Sequence, residues 1–112
     1  MWLITTTGFY SIVQKPWDQA ADTLTVRARA RADLDALREA GLPELGEIKE
    51  DPNADYRFRA QAPRAAVTRA VAAQVEAIDY DNFKSAVGKR QGRHREHIYH
   101  DVWGALHKIQ KK

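Results

Sequence analysis

The stretch YRFRAQA, residues 56–62, alternates strictly between apolar and polar side chains. Its apolar members are Tyr56, Phe58 and Ala60, and its polar members are Arg57, Arg59 and Gln61. Successive side chains of a strand point to opposite faces, so this alternation predicts a strand with one buried and one open face. Pro63 follows at once, where the first turn of a helix tolerates proline.

Three further strands are predicted before this one. Residues 2–6 and 9–14 are rich in β-branched and aromatic residues. Thr7-Gly8 between them supplies a glycine that can adopt a positive φ, so the two runs are predicted to form a hairpin. Residues 24–29 alternate again, and this third strand sets Leu24, Val26 and Ala28 against Thr25, Arg27 and Arg29.

Four helices are predicted from apolar residues that recur at steps of three and four. Their stripes are Leu34 and Leu37; Val67, Val71, Val75 and Ile78; Phe83 and Val87; and Ile98, Val102, Ala105 and Ile109. Asp33 is expected to cap the first helix, and Asp79 or Asp81 the third, which Gly88 ends. Residues 42–55 and 89–93 are interpreted as loops.

The resulting order is β-β-β-α-β-α-α-α, which predicts the α+β class. We expect a four-stranded, mainly antiparallel sheet with helices packed on one face. The 112 residues match the usual size of one domain, so a single domain over residues 1–112 is predicted.

Composition excludes several kinds of site. The chain has no cysteine, which rules out disulfides, thiol nucleophiles and sulfur-ligated metals. Ser11 and Ser85 do not lie in nucleophile motifs, and no phosphate-binding glycine loop or dinucleotide fingerprint is present. No signal peptide or membrane-spanning run is recognisable, so a cytoplasmic location is expected.

The charge is distributed unevenly along the chain. The net charge is +3 and the sequence pI about 9.3. Residues 31–62 carry five basic and eight acidic side chains, whereas residues 63–112 carry ten basic and five acidic. A basic excess of this kind favours a polyanionic partner without requiring one.

Three segments together resemble a known group of sequences: residues 2–11, residues 24–29, and the run Ile78-Asp79-Tyr80-Asp81-Asn82-Phe83-Lys84. The chain is similar to a family of short uncharacterised bacterial proteins. The resemblance implies a bacterial or bacteriophage origin and a cytoplasmic location, and it implies no activity.

Arginines on the open face of the sheet are the first candidate site. If the third and fourth strands are neighbours, Arg27, Arg29, Arg57 and Arg59 form one basic patch, as on sheets that bind single-stranded nucleic acid. The alternation places Tyr56 and Phe58 on the opposite face. The alternative is that these arginines are solvated or paired with the acids of residues 44–55.

A second candidate lies in the basic segment 89–95, where two glycines flank or interrupt the cations and would let a phosphate approach the backbone. Its side chains are Lys89, Arg90, Arg93, His94 and Arg95. The alternative is an ordinary solvated loop.

The histidine-rich run of residues 94–101 is the third candidate. His97 or His100 could act as a general base, with Tyr99 and Asp101 orienting it. Because steps of three rotate around a helix, His94 and His100 diverge, so we expect no metal site and no cofactor. Structural or surface histidines are the alternative.

Three functions remain open. The first is a small non-enzymatic binding module that presents a basic surface to nucleic acid or to an acidic protein. The second is a metal-independent hydrolase or nuclease that uses the histidine run. The third is a homo-oligomer held by large aromatics, for which Trp2, Trp17, Tyr99 and Trp103 are the candidates.

Overall fold

A computed structural model describes residues 1–111 of the chain. Its strands are β1 (Trp2–Ile4), β2 (Phe9–Val13), β3 (Thr23–Ala28), β4 (Lys49–Glu50) and β5 (Phe58–Pro63). Its α-helices are α1 (Arg31–Ala40), α2 (Arg64–Glu76), α3 (Phe83–Gln91) and α4 (Arg93–His107). Short 3-10 turns cover Pro16–Asp18 and Lys108–Lys111.

The predicted α+β class is confirmed, but the number of strands is wrong. The described strands form one antiparallel sheet of five, in the spatial order β1-β2-β3-β5-β4. The additional strand β4 lies inside the acidic segment that the sequence analysis interpreted as a loop. Two residues are too few to show an alternation, so no sequence pattern marks this edge strand.

The chain divides into two compact units, residues 1–78 and residues 79–112. The first contains the sheet, α1 and α2, and the second contains α3 and α4. The prediction of a single domain stays a prediction.

The core of residues 1–78 lies between one face of the sheet and the helices α1 and α2. The sheet contributes Tyr10, Ile12, Val26, Ala28, Ala60 and Ala62, and the helices contribute Leu34, Leu37, Ala66, Val67 and Ala70. Side chains at alternate strand positions therefore turn away from these helices. We call that other side of the sheet the open face.

The β1–β2 hairpin forms as predicted, but for a different reason at Gly8. Gly8 does not have a positive φ. Instead, a Cβ atom there would lie 2.5 Å from Cγ of Asp33, whose Oδ2 accepts a hydrogen bond from the Phe9 N–H at 3.0 Å. Glycine is needed because this carboxyl group packs against its backbone.

Several predicted helix ends are wrong. Asp33 lies inside α1, and Ala30 occupies the N-cap. Asn82, rather than Asp79 or Asp81, caps α3. Gly88 lies within α3, which continues to Gln91, so the predicted basic loop is mostly helix.

Two apolar stripes also differ from the prediction. Val75 is exposed and Ile78 lies beyond α2, while Ala66 and Ala70 are buried in their place. In α4, Ile98 is exposed and Tyr99 is buried, and Ile109 lies beyond α4 in the 3-10 turn, where it is exposed.

Candidate functional site

One row of paired residues crosses all five strands on the open face. Strand register pairs Trp2 with Ser11, Ser11 with Arg27, Arg27 with Arg59, and Arg59 with Lys49. Directly opposed residues of antiparallel strands share a face, so these side chains belong to one side of the sheet. With strands about 4.8 Å apart, this cross-strand row is about 19 Å long. It carries an aromatic ring at one end and three cations towards the other.

Arg27 and Arg59 are held by neutral groups rather than by acids. Arg27 donates from Nη2 to Oγ of Ser11 at 2.6 Å, and Arg59 donates from Nη2 to the Tyr56 carbonyl oxygen at 3.2 Å. The Nε atoms of both arginines are buried and have no hydrogen-bond partner within the described chain. Buried donors without partners are rare, and they mark places where an acceptor would be stabilised.

Among the described residues, no carboxylate forms an ion pair with the central cations. Within residues 1–111, Arg27, Arg29 and Arg59 have no acidic oxygen within 4.0 Å. Arg27 and Arg59 are also directly opposed across β3 and β5, which is an unfavourable arrangement of like charges. The patch therefore favours an anion.

Aromatic rings accompany these cations, contrary to the prediction for Tyr56. Tyr56 precedes β5, so strand alternation does not fix its direction. Its buried ring lies against the guanidinium groups of Arg27 and Arg29, at 4.6 and 4.7 Å from the ring centroid. Phe9 packs beside it with centroids 6.2 Å apart, and Trp2 meets Phe9 edge-on at 6.0 Å.

Trp2 is the exposed aromatic side chain of this cluster, with 73% of its surface accessible to solvent, whereas Phe9 is only partly accessible and Tyr56 is buried. Trp2 is one of the large aromatics that are candidates for an interface between copies of the chain. Its place on the open face could have been read from the hairpin, because pairing with Ser11 puts it level with Arg27.

Arg57 does not join the patch. It forms an ion pair with Glu50 and lies over the Phe58 ring at 5.7 Å. The alternative of pairing with the acids of residues 44–55 therefore holds for this one of the four predicted arginines. Glu44 pairs instead with Arg69 of α2, and this ion pair lowers the pKa of Glu44 and raises that of Arg69.

A buried carboxylate lies on the same sheet face, beside β3 and β5. Asp18 accepts hydrogen bonds from the hydroxyls of Thr23 and Thr25 and from Nε2 of Gln61, at 2.6 to 2.7 Å. Burial by itself raises the pKa of Asp18, but these bonds and one from the Lys15 amide outweigh it and lower the pKa to about 2. Asp18 is fully hydrogen-bonded by this set, which identifies it as a structural group.

The predicted basic segment is divided between two helices. Lys89 and Arg90 lie in the last turn of α3, where the helix dipole favours cations, and Arg93 begins α4. Arg95 donates to the Tyr99 hydroxyl at 3.2 Å. Only Gly92, at φ +97°, separates the helices, so no loop exists that could wrap a phosphate.

The predicted acid–base group of the histidine run stays a prediction, and its members have the following partners in the described chain. Nδ1 of His100 lies 3.0 Å from Nζ of Lys84, a partner that the sequence analysis did not identify. Tyr99 is buried and stacks on Phe83 with centroids 6.0 Å apart. Asp101 is exposed and makes no hydrogen bond to His97 or His100 in the described chain.

The described residues do not form a metal centre. Residues 1–111 contain no cluster of three or more histidine, aspartate and glutamate side chains that could hold a metal ion. No helix in that range combines the length and apolar character needed to cross a bilayer.

No protein-family model matches the chain, and no curated protein or solved structure is significantly similar to it.

Proposed function

We propose that the open face of residues 1–78 binds single-stranded nucleic acid. The observation that carries this proposal is the cross-strand row, in which Trp2 lies level with Arg27, Arg59 and Lys49. The role is that of a non-enzymatic binding module, and a cytoplasmic location goes with it as a prediction.

Phosphate groups would supply most of the affinity. Arg27, Arg29 and Arg59 have no acidic partner in the described chain, so binding them to phosphate breaks no existing ion pair. Each neutralised phosphate of a single strand contributes about −0.7 to the slope of log K against log salt.

Base stacking favours a single strand over a duplex. Exposed Trp2 offers a ring face on which an unpaired base can stack, worth roughly 1–3 kcal/mol. The bases of a duplex are already stacked and cannot use this ring. An acidic protein would use the arginines but would gain little from Trp2, so this ring distinguishes the two partners.

The test measures fluorescence anisotropy of labelled single-stranded oligothymidylate at several salt concentrations. Arg27→Gln and Arg59→Gln should each weaken binding and flatten its salt dependence. Trp2→Ala should weaken binding about tenfold to a hundredfold and leave the salt slope unchanged.

The matched control is Arg31→Gln, which removes the same charge from an exposed position on α1. It should bind like the wild type, and circular dichroism should show that all variants are folded. If Arg31→Gln weakened oligothymidylate binding as much as Arg59→Gln, the open face would not be the binding site. If the protein binds polyglutamate tightly and Trp2→Ala does not weaken that binding, the partner is an acidic protein rather than nucleic acid.

A further inference from the structure

A second group of ionisable side chains lines a cavity of about 340 Å³ within residues 79–112. Lys84 comes from the first turn of α3, and the others come from the first half of α4. The lining residues are Lys84, Arg93, Glu96, His97 and His100. This cavity contains none of the residues of the open face, so its ligand is independent of the function proposed for the sheet.

The contact between Lys84 and His100 fixes the hydrogen-bonding roles in the cavity. An ammonium group can only donate, so Nδ1 of His100 is the acceptor in this contact at 3.0 Å, which leaves Nε2 as the N–H donor of the ring. Lys84 keeps two further N–H donors, and His100 keeps one. The pair presents three donors and no free acceptor.

Trp103 supports this pair from one side. Its ring stacks on His100 with centroids 5.7 Å apart and an angle of 16°, and Nζ of Lys84 lies 4.9 Å from its centroid. Both side chains are therefore packed against one rigid ring, which limits the freedom that ligand binding would remove.

The charges of the cavity favour an anion. Within residues 1–111, Lys84 and Arg93 form no ion pair with Glu96 or with any other carboxylate. The Glu96 carboxylate instead lies against the backbone of Gly88, so closely that a Cβ there would collide with Oε1. Two unpaired cations and the donors of His100 thus share the cavity with one fixed acceptor.

We propose that this cavity binds a phosphomonoester that also carries a hydroxyl group. Lys84, Arg93 and Nε2 of His100 donate to the phosphate oxygens, since converging charged donors are the usual means of holding that group. Glu96 accepts a hydrogen bond from the hydroxyl group of the ligand. This contact offsets the repulsion between the Glu96 carboxylate and the phosphate. His97 also lines the cavity and can add a further N–H donor.

Trp103 provides the signal for the test, because it contacts both Lys84 and His100. In the full-length chain, Trp2→Phe and Trp17→Phe leave Trp103 as the sole tryptophan; both replaced rings are exposed and outside the cavity. Titration with inorganic phosphate at constant ionic strength should change the Trp103 emission saturably. Sodium chloride at the same ionic strength should not, and an equal response to chloride would overturn the proposal.

Ribose 5-phosphate tests the role of Glu96. It should bind at least fivefold more tightly than inorganic phosphate, and Glu96→Ala should abolish that difference. Equal affinity of the two probes in the wild type would exclude Glu96 as a ligand-binding residue.

Lys84→Gln should weaken phosphate binding at least tenfold, and Arg93→Gln should do the same without disturbing the Lys84–His100 contact. Lys89→Gln is the matched control, since Lys89 is an exposed cation of α3 outside the cavity. Chemical shifts of the histidine rings give a second readout that does not depend on tryptophan. If folded Arg93→Gln binds phosphate as Lys89→Gln does, the cavity is not the site.

Discussion

At Gly8 the neighbouring Asp33 leaves no room for a side chain. A Cβ atom there would lie 2.5 Å from Cγ and 2.8 Å from Oδ2 of Asp33, which is itself 4% exposed and cannot move into solvent. Gly8→Ala should therefore destabilise the protein by about 1–3 kcal/mol, as overpacking does elsewhere. Urea denaturation measures this. At Gly104 a Cβ would meet no atom within 4 Å, so Gly104→Ala should cause no loss; equal effects would contradict the packing argument.

Asp18 makes the folded state sensitive to acid. The folded protein holds the pKa of Asp18 at about 2, below its ordinary value of 3.8, so its ionised form stabilises the fold above pH 4. This contribution, about 2 kcal/mol, is lost as the pH falls from about 4 to 2. Asp18→Asn should lower the stability at pH 7 and flatten the decline in that range.

Thr23→Val is the partial version of this change, because it removes one donor and keeps the carboxylate. Its pH dependence should lie between those of the wild type and Asp18→Asn. Free energies of unfolding measured from pH 7 to pH 2 provide the comparison. Parallel curves for all three proteins would show that Asp18 does not couple folding to pH.

At the level of elements, side-chain direction could be predicted from the sequence only where an element is regular. Arg27 and Arg59 lie within β3 and β5, and alternation placed both on the open face. Tyr56 and Arg57 precede β5, so alternation does not govern them, and the predicted directions failed. Arg57 forms an ion pair with Glu50 of β4. The sequence does not predict β4, because this two-residue strand is defined by its pairing with β5.

Helix α3 shows how local hydrogen bonds fix an element's start. Oδ1 of Asn82 accepts from the Ser85 N–H at 2.9 Å, whereas Asp81 makes no such bond to the helix in the described chain. Asn82→Ala should lower the free energy of unfolding by about 0.5–2 kcal/mol. Asp81→Ala is the matched control, since it also removes one short polar side chain, and it should lower the free energy of unfolding much less. Helicity followed by circular dichroism during denaturation checks this. If Asp81→Ala lost more stability than Asn82→Ala, Asp81 rather than Asn82 would be the N-cap.

For the whole molecule, net charge along the sequence did not locate the basic surface. The arginines of the open face belong to residues 1–62, where acidic side chains are 10 and basic side chains 8. Pairing explains this, because Glu50 and Asp22 are directed to Arg57 and Arg64. Three-dimensional pairing decides which cations stay free, and composition cannot supply it.

The position of the apolar core carries a last prediction. Every residue of the core cluster lies within residues 1–78, from Tyr10 on β2 to Ala70 on α2. A fragment of residues 1–78 should therefore fold cooperatively by itself, and it should retain binding to single-stranded oligothymidylate because the cross-strand row lies wholly within it. Dispersed amide signals in a nuclear magnetic resonance spectrum check the fold.

A fragment of residues 79–112 is the comparison. Among its described residues the buried apolar side chains are Val87 and Tyr99. The fragment is also shorter than the roughly 40 residues at which a domain usually folds without added constraints. It should give a collapsed amide spectrum. A collapsed spectrum for residues 1–78 as well would mean that the core cluster is not sufficient for folding, whereas a folded but non-binding fragment would tell against the open face as the nucleic-acid site.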